Sequence, residues 1–153
     1  MTLTNTGDYT GGAIGYTVGK VSKITGSVNI TGKQYVGAVV GRTTGIIDDC
    51  KMSNINIQGT NYVGGITGHS INSIITCEIQ GTISCTGNYV GGIVGYTTSI
   101  IENCIYSGNL TSTVDYIGGI AGYTADRVTS SNSSAKVKGR NYVGGVIRIH
   151  IFK

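Results

Sequence analysis

The chain repeats one short phrase at a nearly constant interval. In a regular copy the phrase runs from Asn88 to Tyr96 and reads NYVGGIVGY. Its first tyrosine returns every 26 or 27 residues, at Tyr9, Tyr35, Tyr62, Tyr89, Tyr116 and Tyr142. A fixed period of this length is the signature of a stacked-repeat protein, in which each copy packs mainly on its neighbours. The period therefore predicts a solenoid rather than a globular domain with one mixed core.

Composition indicates which kind of solenoid this is. The 153 residues include 26 glycines and no proline, and only 12% of them are charged. Val, Ile, Thr and Tyr favour strands, while Gly and Asn favour tight turns. A unit of about 27 residues accommodates three strands of about five residues and three corners. We therefore predict an all-β fold, a parallel β-helix of about six rungs of 26–27 residues, with three short strands per rung. The single domain spans 1–153, with repeats starting near 8, 34, 61, 88, 115 and 141.

Aligned positions in such a fold lie one above another and form ladders about 4.8 Å apart. A polar ladder at a corner precedes the tyrosines and contains Asp8, Gln34, Asn61, Asn88, Asp115 and Asn141. Two apolar ladders are predicted to point inward. One contains Thr10, Val36, Val63, Val90, Ile117 and Val143, and the other Ala13, Val39, Ile66, Ile93, Ile120 and Val146. Their odd separation cannot come from simple alternation, so we expect a bulge or a bend at the glycine pair between them.

Three of the four cysteines form a further ladder. Cys50, Cys77 and Cys104 are 27 residues apart, and Ile24 and Ser131 continue the same column. Parallel side chains at rung spacing hold the Cβ atoms farther apart than a disulfide prefers. We therefore expect these cysteines to be buried, reduced thiols. The sequence has no CxxC motif and no histidine cluster, so it predicts no metal site and no cofactor.

A candidate ligand face follows the third glycine of the phrase. Two adjacent columns there carry aromatic and hydroxyl side chains. Their members are Tyr16, Arg42, His69, Tyr96 and Tyr123 in one column, and Thr17, Thr43, Ser70, Thr97 and Thr124 in the other. Hydroxyls on a flat, regular face suit a glycan or ice, and tyrosines can stack on sugar rings. An equally simple interpretation is that these residues only finish a strand before a turn, and Arg42 interrupts a flat face.

Catalysis was considered at the acidic residues and the histidines. Asp48 and Glu102 share a column two rungs apart, about 9.6 Å, which is near the upper limit for an inverting glycosidase pair. Ile75 stands between them, so a solvated surface is the better interpretation. His69 and His150 lie in different columns without a nucleophile or carboxylate beside them, which argues against a catalytic triad.

The net charge of +4 is unevenly distributed. Residues 1–51 carry +2, residues 52–126 carry −4, and residues 127–153 carry +6. The basic residues are not interleaved with exposed aromatics, so nucleic-acid binding is not expected. No segment is long and apolar enough to cross a membrane. Residues 1–5 lack the basic start and apolar run of a signal peptide.

The repeat also resembles a known family. Residues 90–95 (VGGIVG), followed by 100–104 (IIENC) and 107–111 (SGNLT), resemble the GLUG-motif repeats of bacterial surface and secreted proteins. Such repeats accompany some immunoglobulin A-specific metallopeptidases and large adhesins. The resemblance covers units two to four well, and departs at Ala38, Thr67 and Arg148 and in the serine-rich part of unit five. It implies an extracellular or cell-surface β-helical stalk or adhesive segment, and it brings no catalytic residues, since no HExxH motif is present.

Taken together, these features predict a non-enzymatic extracellular structural or adhesive segment. The alternatives are a glycan- or ice-binding β-solenoid that uses the Thr and Tyr columns, and a polysaccharide-active enzyme. Unpaired strand edges at the ends of a solenoid favour end-to-end stacking of copies, so self-association is the expected partnership, with cell-surface glycans or proteins as further partners. The alternating Ile147, Ile149 and Ile151 could cap one end or exchange between copies.

Overall fold

The computed structural model describes residues 1–147, which form 24 strands, numbered here in chain order, and no helix. All strand pairs are parallel, and successive copies of the repeat stack into a β-solenoid of about five turns. The predicted parallel β-helix is therefore confirmed. Residues 148–153 lie outside the described residues, and the predicted role of Ile149 and Ile151 falls there.

The strands form four sheets, each with one strand or strand pair per turn. The wide sheet contains β1 (Thr2–Thr4), β5 (Thr25–Gly26), β6 (Asn29–Thr31), β10 (Lys51–Gly59), β14 (Glu78–Cys85), β18 (Ile105–Ser112), β22 (Asn132–Ser133) and β23 (Lys136–Lys138). The tyrosine sheet contains β2 (Asp8–Gly11), β7 (Gln34–Gly37), β11 (Asn61–Gly64), β15 (Val90–Gly91), β19 (Ile117–Gly118) and β24 (Val143–Gly144). The threonine sheet contains β3 (Ile14–Thr17), β8 (Val40–Thr43), β12 (Thr67–Ser70), β16 (Val94–Thr97) and β20 (Ala121–Thr124). The narrow sheet contains β4 (Val21–Ser22), β9 (Ile47–Asp48), β13 (Ile74–Ile75), β17 (Ile101–Glu102) and β21 (Val128–Thr129).

Each full turn thus has four strands, where the sequence predicted three. The difference arises inside the repeated phrase, which looks like one extended stretch in the sequence. In the structure the chain bends at Gly65 and Ile66 and divides the phrase between β11 and β12. The bend expected at the glycine pair is therefore confirmed, and it is sharp enough to start a new sheet.

The register places repeat on repeat as the columns predicted. Val63 pairs with Val36 on one side and with Val90 on the other. In the next sheet Thr67 pairs with Val40 and Val94 in the same way. Each side chain is therefore surrounded mainly by its own equivalents in the adjacent turns.

The glycines of the phrase occupy positions where a side chain would collide with backbone. A Cβ on Gly64 would lie 2.7 Å from Cα of Val94 in the next turn. A Cβ on Gly92 would meet the carbonyl oxygen of Gly119 and the ring of Tyr106. The high glycine content is therefore explained by close approach between turns at the bend.

The core is a continuous apolar column inside the four sheets. Both predicted apolar ladders point into it, and their central members, such as Val63 and Ile66, have no exposed surface. The prediction is wrong only at the ends of the stack. Ala13 and Val143 are exposed there, in the first and last turns of the described chain.

Candidate functional site

The most distinctive surface of the molecule is a pair of aromatic ladders at the edge between the tyrosine and threonine sheets. The first ladder, which we call the tyrosine ladder, contains Tyr9, Tyr35, Tyr62, Tyr89, Tyr116 and Tyr142. All six residues have positive φ, between 52° and 63°. A left-handed backbone costs a residue with a side chain about 1–2 kcal/mol. The same strained turn therefore recurs in every repeat, and stacking of the side chains offsets part of its cost.

The rings of the tyrosine ladder stack face to face along the rod. The centroids of Tyr35 and Tyr62 lie 4.8 Å apart with 13° between the ring planes. The other neighbouring pairs lie 5.1–5.4 Å apart. Each such contact contributes about 0.5–1.5 kcal/mol beyond its buried area. The stacking expected from the sequence is therefore confirmed.

The second ladder, which we call the mixed ladder, contains Tyr16, Arg42, His69, Tyr96 and Tyr123. The rings of His69, Tyr96 and Tyr123 stack on one another, with Tyr96 and Tyr123 only 4.5 Å apart. They meet the tyrosine ladder edge-on. Arg42 completes the column by placing its guanidinium 5.7 Å from the centre of the Tyr35 ring, in a cation–π contact.

The prediction that the hydroxyl column forms part of a ligand face is wrong. Thr43, Ser70, Thr97 and Thr124 are completely buried, and Thr17 is half-buried at the end of the stack. Their hydroxyl groups stabilise the short backbone turn that follows each strand. Thr43 Oγ1, for example, accepts a hydrogen bond from the amide of Gly45 at 2.9 Å. Side chains alternate between the two faces of a strand. Arg42 points outward, so its neighbours Gly41 and Thr43 point inward.

A ligand that approaches the aromatic ladders meets the edges of the rings and not their faces. Sugars stack on the flat face of a ring, yet in both ladders the inner ring faces are covered by the rings of the adjacent turns. The outermost rings are the exception, and Tyr9 and Tyr16 at the first turn are 40% and 50% exposed. Sugar stacking along the length of this surface is therefore disfavoured, and the ladders serve chiefly to hold the turns in register.

His69 is the one titratable base in the mixed ladder among the described residues. Burial, and secondarily the charge of Arg42, lower its pKa below the ordinary value. Its Nδ1 is buried without a hydrogen-bond partner in residues 1–147. The uncharged imidazole therefore acts here as an aromatic ring of the ladder.

The polar column beside the tyrosines connects successive turns. The Oδ1 atom of Asn61 accepts a hydrogen bond from the backbone amide of Asn88 at 2.8 Å. One copy further on, Asp115 forms an ion pair with Arg140 at 3.6 Å. The expected contacts between turns are therefore present at this corner.

The predicted cysteine ladder is buried. Cys50, Cys77 and Cys104 are at most 1% exposed and are free thiols. Each Sγ donates a hydrogen bond to the carbonyl oxygen two residues earlier, at 3.3–3.4 Å. Hydrogen bonding to Cys104 and burial raise the pKa of Cys77 to about 12. Cys85 lies in another column, where burial raises its pKa to about 11. Hydrogen bonding with Cys77 instead lowers the pKa of Cys104. All four thiols are buried and pack in the core.

In the acidic column an isoleucine separates the two carboxylates. Ile75 pairs with Asp48 on one side and with Glu102 on the other, as the sequence indicated. The carboxylate of Asp48 forms an ion pair with Lys20 at 3.1 Å. Within residues 1–147 no cluster of three His, Cys, Asp or Glu side chains could hold a metal ion.

The sequence analysis missed the outer face of the wide sheet. Along that face run two exposed polar columns, which we call the outer columns. They contain Thr2, Asn29, Asn56, Thr82 and Asn109, and Thr4, Thr31, Gln58, Ser84 and Thr111. The available signal was the polar–apolar–polar triplet in each repeat, such as Asn109-Leu110-Thr111, in which only the middle residue is buried.

Residues 1–147 contain no helix of the length and apolar character that a membrane span requires. Comparisons with family models, curated proteins and solved structures found no match. The resemblance to GLUG-motif repeats therefore stays a prediction.

Proposed function

We propose that this chain is a non-enzymatic structural segment, a short rigid rod that is lengthened by end-to-end stacking of copies. The observation that carries the proposal is that each residue contacts the equivalent residues of the repeat in the adjacent turns. Val63 packs between Val36 and Val90, and Tyr62 packs between Tyr35 and Tyr89. A structure whose successive levels are interchangeable is suited to spanning distance.

The first turn supports the stacking step. In the described chain β2 is an edge strand of its sheet, and its outer edge is unpaired. The core is also open at this end, where a cavity of about 160 Å³ is lined by apolar side chains that include Met1, Val28 and Met52. An unpaired edge beside an open core is the kind of surface that another strand layer covers.

The last described turn repeats the columns of the first turn. Val143, which is 43% exposed, occupies the same column as Thr10. A second copy placed in the repeat register would continue those columns. In this head-to-tail arrangement the basic last segment meets the first segment, which also carries a net positive charge, so packing and strand pairing have to outweigh charge repulsion.

Two features support a role without catalysis. The acidic column has an isoleucine between its carboxylates, and the ring faces of the aromatic ladders are largely covered. The GLUG resemblance supports a location of such a segment outside the cell or on its surface. Burial of all four thiols suits that oxidising compartment, since it keeps them from oxidants.

Sedimentation velocity over a wide protein concentration range tests the proposal. We expect species that grow with concentration, and we expect Ala13→Arg to suppress them, because the added charge would lie on the open end of the stack. Thr98→Arg, which adds the same charge to an exposed position in a middle turn, should assemble normally. A monomer at every concentration would contradict stacking. Polysaccharide cleavage that is lost in Asp48→Asn or Glu102→Gln would contradict a non-enzymatic role.

A further inference from the structure

We propose that the outer face of the wide sheet binds a neutral polysaccharide, in a groove along the second outer column. This inference goes beyond the proposed structural role. Polysaccharide binding and end-to-end stacking use different surfaces, so a negative result for one leaves the other standing. The groove has a volume of about 240 Å³ and crosses three turns. Its lining consists of Thr31, Gly32, Gln58, Gly59, Thr60, Ser84 and Thr86.

The hydrogen-bonding groups of this face are available to a ligand. The side chains of Thr31, Gln58 and Ser84 are exposed, and they form no hydrogen bond with any residue of the described chain. The inward hydroxyls behave differently, since Thr43 and Thr124 both bond to backbone groups two residues further along the chain. The outer columns thus carry donors and acceptors that the fold itself does not use.

The chemistry of the lining selects the class of ligand. Hydroxyl and amide groups each donate and accept hydrogen bonds, as carbohydrate hydroxyls do. No ionisable side chain lines the groove, so a charged ligand would lose solvation there without gaining a partner. No aromatic or aliphatic side chain lines it either, which disfavours an apolar ligand.

The geometry favours a polymer over a compact molecule or a peptide. Successive turns present equivalent groups about 4.8 Å apart, so a chain with repeating hydroxyls meets the same partners repeatedly. The strands beneath the groove are paired on both sides, as β10 is with β6 and β14. An extended peptide therefore finds no open backbone edge to join on this face. Lys136 and Lys138 continue the outer columns in the last turn and confine the neutral surface to the preceding turns.

Affinity electrophoresis through gels that contain dissolved neutral polysaccharides tests the inference, with glucans, mannans and xylans as probes and alginate as the anionic comparison. We expect at least one neutral polymer to retard the protein. Gln58→Ala combined with Ser84→Ala should weaken that retardation about tenfold, because two hydrogen bonds are lost from each bound segment. Gln58→Glu, which keeps the shape of the side chain but adds a charge, should weaken it as well.

The control variant is Ser22→Ala combined with Thr98→Ala, which removes two exposed hydroxyls elsewhere on the rod and should bind as the native protein does. Thermal unfolding followed by circular dichroism verifies that each variant is folded. Retardation by no neutral polymer, retardation only by alginate, or unchanged binding in the double variant would overturn the inference. Shaping of ice crystals that is lost in the double variant, without polysaccharide binding, would overturn it too.

Discussion

The imidazole ring of His69 lies parallel to the phenol ring of Tyr96, with 5.2 Å between the centroids and 6° between the planes. The same imidazole meets Tyr35 and Tyr62 edge-on. Arg42 follows in the adjacent turn of this column. A histidine thus takes the place of a tyrosine in the aromatic ladder, beside a positively charged neighbour.

We predict that His69 makes the stability of the rod depend on pH. Burial and Arg42 lower its folded-state pKa below the unfolded value of about 6.5. The unfolded chain therefore binds the proton more readily, so stability is full above that value and is lost as the pH falls through the folded-state pKa. Chemical denaturation of the native protein should give a lower free energy of unfolding at about pH 5.5 than at about pH 7.5.

The variant His69→Tyr should remove this part of the pH dependence, since it restores the ring found in the neighbouring turns. His150 stays in place in both proteins, so the difference between them reports on His69. Equal losses of stability on acidification in the two proteins would show that His69 does not titrate in this range.

Gly92 and Tyr106 are predicted to be energetically coupled. Tyr106 is fully buried, its hydroxyl donates to the carbonyl oxygen of Asn109 at 2.8 Å, and its ring occupies the space that a side chain on Gly92 would need. Gly92→Ala should therefore lower the free energy of unfolding by more than about 2 kcal/mol, measured by denaturant titration.

The second turn suggests how that loss can be relieved. There Ala38 occupies the column of Gly92, and the flexible Met52 occupies the column of Tyr106. Adding Tyr106→Met to Gly92→Ala should recover part of the lost stability, whereas independent sites would give additive losses. Gly19→Ala is the matched control and should be nearly neutral, because the nearest atom to the new Cβ lies 3.8 Å away.

Thr76 offers a stabilising substitution. It is exposed and has a φ of 53°, a conformation that is unfavourable for a β-branched residue. The next copy of the repeat has Asn103 with a φ of 52° in the same position. Because asparagine tolerates the left-handed region better, Thr76→Asn should raise the free energy of unfolding by about 1 kcal/mol.

Thr98→Asn provides the comparison for this change. Thr98 is also exposed but does not have a positive φ, so its replacement should leave thermal stability within the experimental error. A similar gain at both positions would mean that the effect comes from side-chain polarity and not from backbone strain.

The sequence predicted the features that depend on which residues lie above one another. The period alone placed Cys50, Cys77 and Cys104 in one buried column and brought the tyrosines within stacking distance. It did so because a parallel stack converts sequence spacing directly into spatial contact.

It was harder to predict which side chains of one turn point inward and which point outward. Alternation of side chains is interrupted by left-handed residues such as Tyr62 and by the bend at Gly65, so inside and outside could not be read continuously along the phrase. The threonine column was therefore assigned to the wrong side. The outer columns were overlooked because exposed Asn and Thr resemble ordinary solvated strand residues until the register aligns them.

The parallel register also has an evolutionary consequence. Since Val63 finds a valine on either side, a gene that duplicated or deleted one regular unit would encode a rod in which this column still matches at the new junction. Length could then change in steps of about 4.8 Å. A longer rod could therefore evolve by duplication of an existing unit, without a new type of unit.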